Sequence, residues 1–195
     1  PLRSYALYTE AWAEIERARH HHRRHEYDLA KGHFEKAASI HASLRQWRYL
    51  APNYAAWVKV EEAEDLSRKE HNEEALKAFG QAAELFDETR NSIQAELSKI
   101  EDLDEKRIAT EILAAAYARR IYCDGRVAVE EARILDKKGD HSASAEKYGS
   151  AIENFEKIAQ LSQSEQDKKE IKYIIILSRA WQKMAQAEAE ATPEL

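Results

Sequence analysis

One spacing pattern occurs three times in the sequence and restricts the possible fold more than any other feature. A small residue is followed 12 positions later by a second small residue, 4 further on by an aromatic residue and 3 beyond that by another small residue. The three sets are Ala18, Ala30, Phe34 and Ala37; Ala63, Ala75, Phe79 and Ala82; and Ala132, Ser144, Tyr148 and Ala151. Identical offsets in three places indicate an internal repeat.

These offsets predict a pair of antiparallel helices. Steps of 4 and 3 place small, aromatic and small residues on one helix face, while the step of 12 crosses a turn to the preceding helix. Only 5 Gly and 3 Pro interrupt the 195 residues, and strong helix formers dominate. Because one hairpin cannot bury its apolar face alone, we expect an all-α fold, a right-handed stack of antiparallel hairpins with about seven helices.

The chain is expected to form one domain. The predicted hairpins cover about 4–47, 53–91 and 104–161, followed by a capping helix at 165–192. Pro52 disfavours helix at Ala51, so Asn53 is expected to cap the third helix. Gly139 and Asp140 predict a helix stop and a new start. The chain begins with a proline and its single methionine lies near the other end, so we interpret it as a segment of a longer protein.

The intervals between the three sets are uneven. Ala30 and Ala75 are 45 residues apart, whereas Ala75 and Ser144 are 69 apart, a difference of 24. Adding about 12 residues to each of two antiparallel helices would preserve the hairpin geometry. We therefore predict a long protruding hairpin through residues 86–122. The alternative is a separate short helix at about 92–100.

Segments 63–79 and 139–151 resemble tetratricopeptide repeats. They carry a small residue in the first helix and a small–aromatic–small face in the second, and the later segment has a Gly-Asp turn. The longer helices are similar to the hairpins of vesicle-fusion attachment proteins. The resemblance covers about Trp12 to Phe155, but the closing proline is missing and the first two turns lack Gly. It implies a concave groove, lined by the first helix of each hairpin, that holds a partner segment.

Three sets of candidate groove residues lie at fixed distances from the first small residue of each set. They are Glu16, Glu61 and Glu130 two before it; Arg23, Arg68 and Lys137 five after it; and Trp12, Trp57 and Arg126 six before it. The resemblance implies that they contact a protein or peptide partner, or a neighbouring domain of the parent chain. The alternative interpretation is ion pairs between hairpins on a solvated face, with the tryptophans in the core.

The sequence favours binding over catalysis. A net charge of −6 argues against a nucleic-acid-binding surface. Arg17 with His22, and Arg19 with His25, match the loose Arg–His spacing of HEPN-like helical ribonucleases, so an RNA-binding or RNase domain is the enzyme-class alternative. His21 and His25 lie on one helix face, but nothing fixes a third ligand, so we predict no metal site, no cofactor and no catalytic residue.

Two further expectations concern location and the last helix. A single cysteine, Cys123, and the lack of a long apolar run favour a cytoplasmic protein that does not enter a membrane. The apolar run Tyr173–Leu177, with Trp181 and Met184 beyond it, predicts a helix that caps the stack. If it is exposed instead, the same run would mediate homo-oligomer formation or domain docking, and the alternative function is a self-associating structural or spacer module of a multidomain protein.

Overall fold

The computed structural model describes residues 2–162 and 165–191, apart from the side chains of residues 166 and 167. This part of the chain forms seven α-helices and one 3-10 turn. They are α1 (Leu2–Arg23), α2 (Tyr27–Ser43), the turn Arg48–Leu50, α3 (Ala51–Arg68), α4 (Asn72–Leu97), α5 (Leu103–Lys137), α6 (His141–Leu161) and α7 (Glu165–Ala191). Each helix packs antiparallel to the next one along the chain. The predicted all-α stack of antiparallel hairpins is therefore confirmed.

The turns within the hairpins α1–α2, α3–α4 and α5–α6 share one backbone geometry. His25, Glu70 and Gly139 have φ values of 58°, 61° and 81°, and each lies seven residues after the first small residue of its set. In each turn this residue donates its amide to the carbonyl three positions back, and the next amide reaches the carbonyl five positions back. This is a Schellman ending. Two of the three turns thus place a non-glycine residue in the left-handed region.

All residues of the three repeated sets are buried, and the most exposed, Tyr148, has only 5% of its surface accessible. Phe34, Phe79 and Tyr148 lie in three successive core clusters, one in each hairpin. Burying one such ring stabilises the fold by roughly 2–3 kcal/mol. The spacing in the sequence thus corresponds to the contact between the two helices of each hairpin.

The first helix of each hairpin has a small–large–small set of its own, again with steps of 4 and 3. These sets are Ala11, Ile15 and Ala18; Ala56, Val60 and Ala63; and Gly125, Val129 and Ala132. All nine residues are buried, and each core cluster combines the large and the last small residue of one set with the aromatic and the last small residue of the following helix. Each hairpin is therefore a pairing of two faces of the same kind.

The start of α3 differs from the expectation. The helix begins at Ala51, and Pro52 lies in its first turn, where a missing amide proton costs nothing. Asn53 does not cap the helix; it is buried inside the helix, and its Oδ1 accepts a hydrogen bond of 3.3 Å from Arg119. The predicted cap at Asn53 is wrong because proline is tolerated at this position.

The extra residues between the second and third sets lengthen α4 and α5. Helix α4 continues to Leu97 and α5 begins at Leu103, so no separate helix forms at 92–100 and the second hairpin extends beyond residue 91. The extension does not protrude, however. Ile93 is fully buried in one cluster with Trp47, and the Tyr49 hydroxyl donates to Glu105 at 3.0 Å. Apolar residues of the extension cover the connection between α2 and α3.

Among the described residues, no helix is long and apolar enough to cross a membrane.

Candidate functional site

A cleft of about 780 Å³ opens along the stack between α3, α5 and α7. Its walls are mainly apolar and include Trp57 from α3, Tyr117 from α5, and Ile171 and Ile174 from α7. Small residues on α5 create the space, because Ala114, Ala115 and Ala118 face it where larger side chains would fill it. Polar side chains from α1, α5 and α7 also line the cleft: His22, Arg119 and Glu170.

Arg119 lies between this cleft and a second one. Its guanidinium carbon is 4.9 Å from the centre of the Trp57 ring, a cation–π contact. Arg119 also lines a cleft of about 560 Å³, together with Tyr8 and Trp12. The two clefts are therefore adjacent, with an arginine and a tryptophan at their boundary.

His22 joins the cleft to a buried carboxyl group. Its Nδ1 lies 2.7 Å from Oε1 of Glu61, which is fully buried, while the other oxygen of Glu61 has no hydrogen-bond partner. Burial alone would lower the pKa of His22, but the hydrogen bond to Glu61 and the charges of Glu61 and Glu64 outweigh it and raise this pKa. His22 thus has a raised pKa, and burial also raises the pKa of its partner Glu61.

A second group of charged side chains, Glu64 and Arg126, lies behind the wall of the cleft and contacts Tyr122. Tyr122, which lines the cleft, donates to Glu64 at 2.7 Å, and Glu64 forms an ion pair with Arg126. Burial would raise the pKa of Glu64, but the Arg126 charge and its hydrogen bond lower it. Arg126 also lies 4.5 Å from the centre of the Phe79 ring. This predicted groove residue is held inside the fold, where it fixes the position of Tyr122.

The predicted acidic stripe joins neighbouring hairpins. Glu61 of the second hairpin contacts His22 of the first. In the same way, Glu130 of the third hairpin accepts a hydrogen bond of 2.6 Å from Ser67 of the second, and Ser67 occupies the position that corresponds to His22. Glu130 is fully buried and also accepts from Asn72 at 2.7 Å. Because Glu61 and Glu130 are buried, they do not form an accessible stripe with Glu16.

The predicted basic stripe has a matching role at two positions. Arg68 donates to the carbonyl of His25 at 3.3 Å, and Lys137 donates to the carbonyl of Glu70 at 3.4 Å. Both carbonyls belong to the left-handed residue of the preceding turn, close to a helix C-terminus that attracts positive charge. Arg68 and Lys137 therefore each contact the turn of the preceding hairpin.

The remaining candidate groove residues lie apart from one another. Glu16 is exposed and pairs with Arg19 at 2.5 Å, and Arg23 is exposed at the end of α1. Trp12 is half-buried and lines the smaller cleft, whereas Trp57 lines both the core and the main cleft. Of the predicted groove residues, Trp57 is the one that the structure brings to the main cleft.

Most residues that line the main cleft lie outside the predicted groove positions. Tyr117, Arg119 and Ile174 line it without belonging to any repeated position, and His22 lines it at the position that Ser67 occupies in the second hairpin. One available signal was the run Ala114–Ala118, in which four alanines flank a single tyrosine on the lengthened helix. Small side chains in such a run leave space between a helix and its neighbours.

The histidine-rich end of α1 is bound to other side chains. His21 Nδ1 lies 2.6 Å from Glu26, whereas His25 Nδ1 lies 2.9 Å from the Tyr27 hydroxyl, so the pair at four-residue spacing does not converge on one point. Arg17 and His22, from the ribonuclease-like pattern, bond to separate carboxylates, Glu14 and Glu61.

Another possible set of metal ligands comprises Asp136, His141 and Glu188, with ligand atoms within 4.8 Å of one another. His141 is ion-paired to both acids there, at 2.8 and 3.2 Å.

The chain matches no protein-family model, and no curated protein or solved structure is significantly similar to it.

Proposed function

We propose that this chain is a helical-repeat interaction module of the tetratricopeptide kind, and that it holds an apolar segment of a partner protein in the main cleft. The observation that carries the proposal is the cleft itself, which has apolar walls from α3, α5 and α7 and charged side chains among them. Exposed apolar surface of this kind is costly in water and is typical of binding sites.

The cleft suits a protein segment because its anchoring groups are spread over several helices. Trp57 and Tyr117 offer aromatic surfaces, and tryptophan and tyrosine contribute much of the energy in protein interfaces. His22, Arg119 and Glu170 can orient the polar groups of a bound segment. A lengthwise arrangement of apolar anchors with polar neighbours is the pattern by which grooves hold peptides.

Three observations support the comparison with tetratricopeptide repeats. The turns of the three hairpins share one hydrogen-bond pattern, their framework residues are buried alike, and the acidic residue two before the first small residue reaches back to the preceding hairpin in two cases. A right-handed superhelix remains the prediction for such a stack. The main cleft lies on the side that includes Trp57, one of the groove residues implied by the resemblance.

A peptide-display selection against the whole chain tests the proposal. We expect it to enrich peptides with at least two large apolar anchors, and we expect Ala114→Trp to weaken their binding at least tenfold, because the exposed Ala114 borders the cleft. Ala13→Trp is the matched control, since Ala13 is also exposed on a helix but does not line the cleft. Failure to enrich any peptide, or equal loss of binding in both variants, would contradict the proposed function.

A further inference from the structure

Helix α7 carries a fourth copy of the set that marks the first helix of each hairpin. Ala180, Met184 and Ala187 repeat the small–large–small steps of 4 and 3. Trp181 directly follows the first small residue, as Trp12 follows Ala11 in α1 and Trp57 follows Ala56 in α3. By these positions α7 corresponds to α1, α3 and α5.

The surroundings of this fourth set differ from those of the first three. In α1, α3 and α5 the set is buried beneath the following helix. In α7 Ala180 and Ala187 are exposed, and Met184 has 60% of its surface accessible. The opposite side of α7, with Ile171 and Ile175, is buried in the core cluster of the third hairpin. Within the described residues, helix α7 is thus a first helix whose small–large–small set no following helix covers.

The exposed set continues into a larger apolar surface. Tyr173, Ile176 and Leu177 are 59%, 51% and 50% accessible, and they share the helix face of Ala180 and Met184. We call this surface the outer face of α7; it consists of Tyr173, Ile176, Leu177, Ala180, Met184 and Ala187. Large side chains exposed together on one side of a helix, and not scattered singly, indicate an interface.

The outer face is complementary to itself. In every hairpin described above, a small–large–small set in one helix packs antiparallel against a set with the same steps in the next helix. Two copies of α7 can make the same pairing through a two-fold axis, since each supplies one set. With Met184 near the two-fold axis, Ala180 of each copy lies beside Ala187 of the other, so the small residues of one set meet the small residues of the other.

From this equivalence we propose that the outer face of α7 binds the outer face of a second copy of the chain, with the two α7 helices antiparallel. The pairing repeats the contact inside each hairpin, with Met184 close to the two-fold axis. This inference does not depend on the proposed function, because the outer face and the main cleft are different surfaces.

The mass of the full chain in solution, measured by light scattering after size exclusion, tests the pairing. We expect a concentration-dependent species of twice the 22.5 kDa chain mass. Met184→Asp should weaken self-association at least tenfold without unfolding the protein, because Met184 is exposed in the single chain. Lys172→Glu is the control, since Lys172 is exposed but lies off the outer face. A monomer at every concentration, or a dimer equally stable in Met184→Asp, would overturn the proposal.

Cysteine cross-linking tests the orientation. The natural Cys123 is fully buried, so an introduced surface thiol reports separately. Met184→Cys should form a disulfide between two copies under mild oxidation. Tyr173→Cys should not, because 11 residues separate it from position 184 and the two Tyr173 positions would lie about 33 Å apart along an antiparallel pair. Efficient cross-linking by Tyr173→Cys would mean a parallel pair and would overturn the antiparallel arrangement.

Discussion

The first hairpin and the later two share one backbone geometry but differ in the side chains at equivalent positions. At the position four residues after the first small residue, the first hairpin has His22 and the second has Ser67. At the position seven after the central aromatic residue, the first hairpin has His41, whereas the other two have Phe86 and Phe155. All three of the latter side chains are fully buried. The same buried position therefore holds a titratable histidine ring in the first hairpin and a phenylalanine ring in the other two.

The junctions between hairpins differ in the same way. Glu61 at the first junction has one bonded oxygen and one without a partner, whereas both oxygens of Glu130 at the second junction accept hydrogen bonds. His22 at the first junction has a raised pKa, and His41 has its pKa lowered to about 4 by burial. The same position in two junctions can thus hold either a carboxyl group with one unpaired oxygen beside a histidine or a carboxyl group whose two oxygens both accept hydrogen bonds.

The largest loss of stability is expected from a substitution that removes the contacts at the second junction. Glu130→Ala leaves Ser67, Asn72 and the Arg133 guanidinium without a shared acceptor, so we expect the free energy of unfolding to fall by about 4 kcal/mol. Glu61→Ala should cost only about 1 kcal/mol, since it removes a single hydrogen bond together with an unsatisfied oxygen. Urea denaturation at pH 7 measures both values. Equal losses would show that the two junctions do not differ as described.

His41→Phe tests whether the first hairpin carries the pH dependence. The unfolded chain protonates this histidine near pH 6.5 and the folded chain only near pH 4, so its contribution is complete above pH 6.5 and declines as the pH falls. Relative to the variant, the natural protein should lose about 3 kcal/mol of unfolding free energy between pH 7 and pH 4. The phenylalanine matches Phe86 and Phe155 of the other hairpins.

Unfolding curves at several pH values, recorded for the natural protein and for His41→Phe, check this difference. Both ring nitrogens of His41 lack hydrogen-bond partners, so the variant should be no less stable at pH 7. Parallel pH profiles for the two proteins would show that His41 is not the source.

Gly125→Ala tests the closest packing in the third hairpin. A methyl group at this position would lie 2.6 Å from Cε1 of Phe155, which is fully buried, so we expect a loss of about 2 kcal/mol. Gly80→Ala is the matched control: Gly80 lies inside α4 with nothing within 4 Å of the added carbon, and its replacement should stabilise the protein by up to about 1 kcal/mol. Thermal unfolding distinguishes the opposite signs.

The smallest expected effect concerns the turns. Glu70→Gly and His25→Gly should each stabilise the protein by about 0.5–1 kcal/mol, because glycine adopts the left-handed conformation without steric cost. Gly139→Ala should lose about 1 kcal/mol at the matching position. A gain at only one of the two non-glycine turns would show that its side-chain contacts, such as the bond from His25 to Tyr27, matter more than the backbone.

The sequence predicted those features that depend on local periodicity. Small and aromatic residues at fixed steps located the helix contacts, and Gly139 with Asp140 located a turn, because both signals act within a few residues. The cap at Asn53 failed because proline can begin a helix as well as precede one.

The site was harder to predict because burial depends on neighbouring hairpins. Glu61 and Glu130 have the surface-like spacing of exposed charges, yet each is covered by the hairpin before it. The cleft lies beside the lengthened part of α5, where no repeated position exists to compare with Tyr117 or Arg119. Sequence periodicity describes a helix face, but only the packed stack decides which faces remain open.

The length of α5 has a consequence for how the molecule unfolds. A stack held only by contacts between neighbours can open from either end, one hairpin at a time. This helix has 35 residues and spans about 50 Å. Near its start Glu105 bonds to Tyr49 beside the first hairpin, and at its end Lys137 reaches the turn of the second. Loss of the first hairpin would therefore uncover part of α5 in the third, so we expect the first hairpin to unfold together with α5 and not by itself.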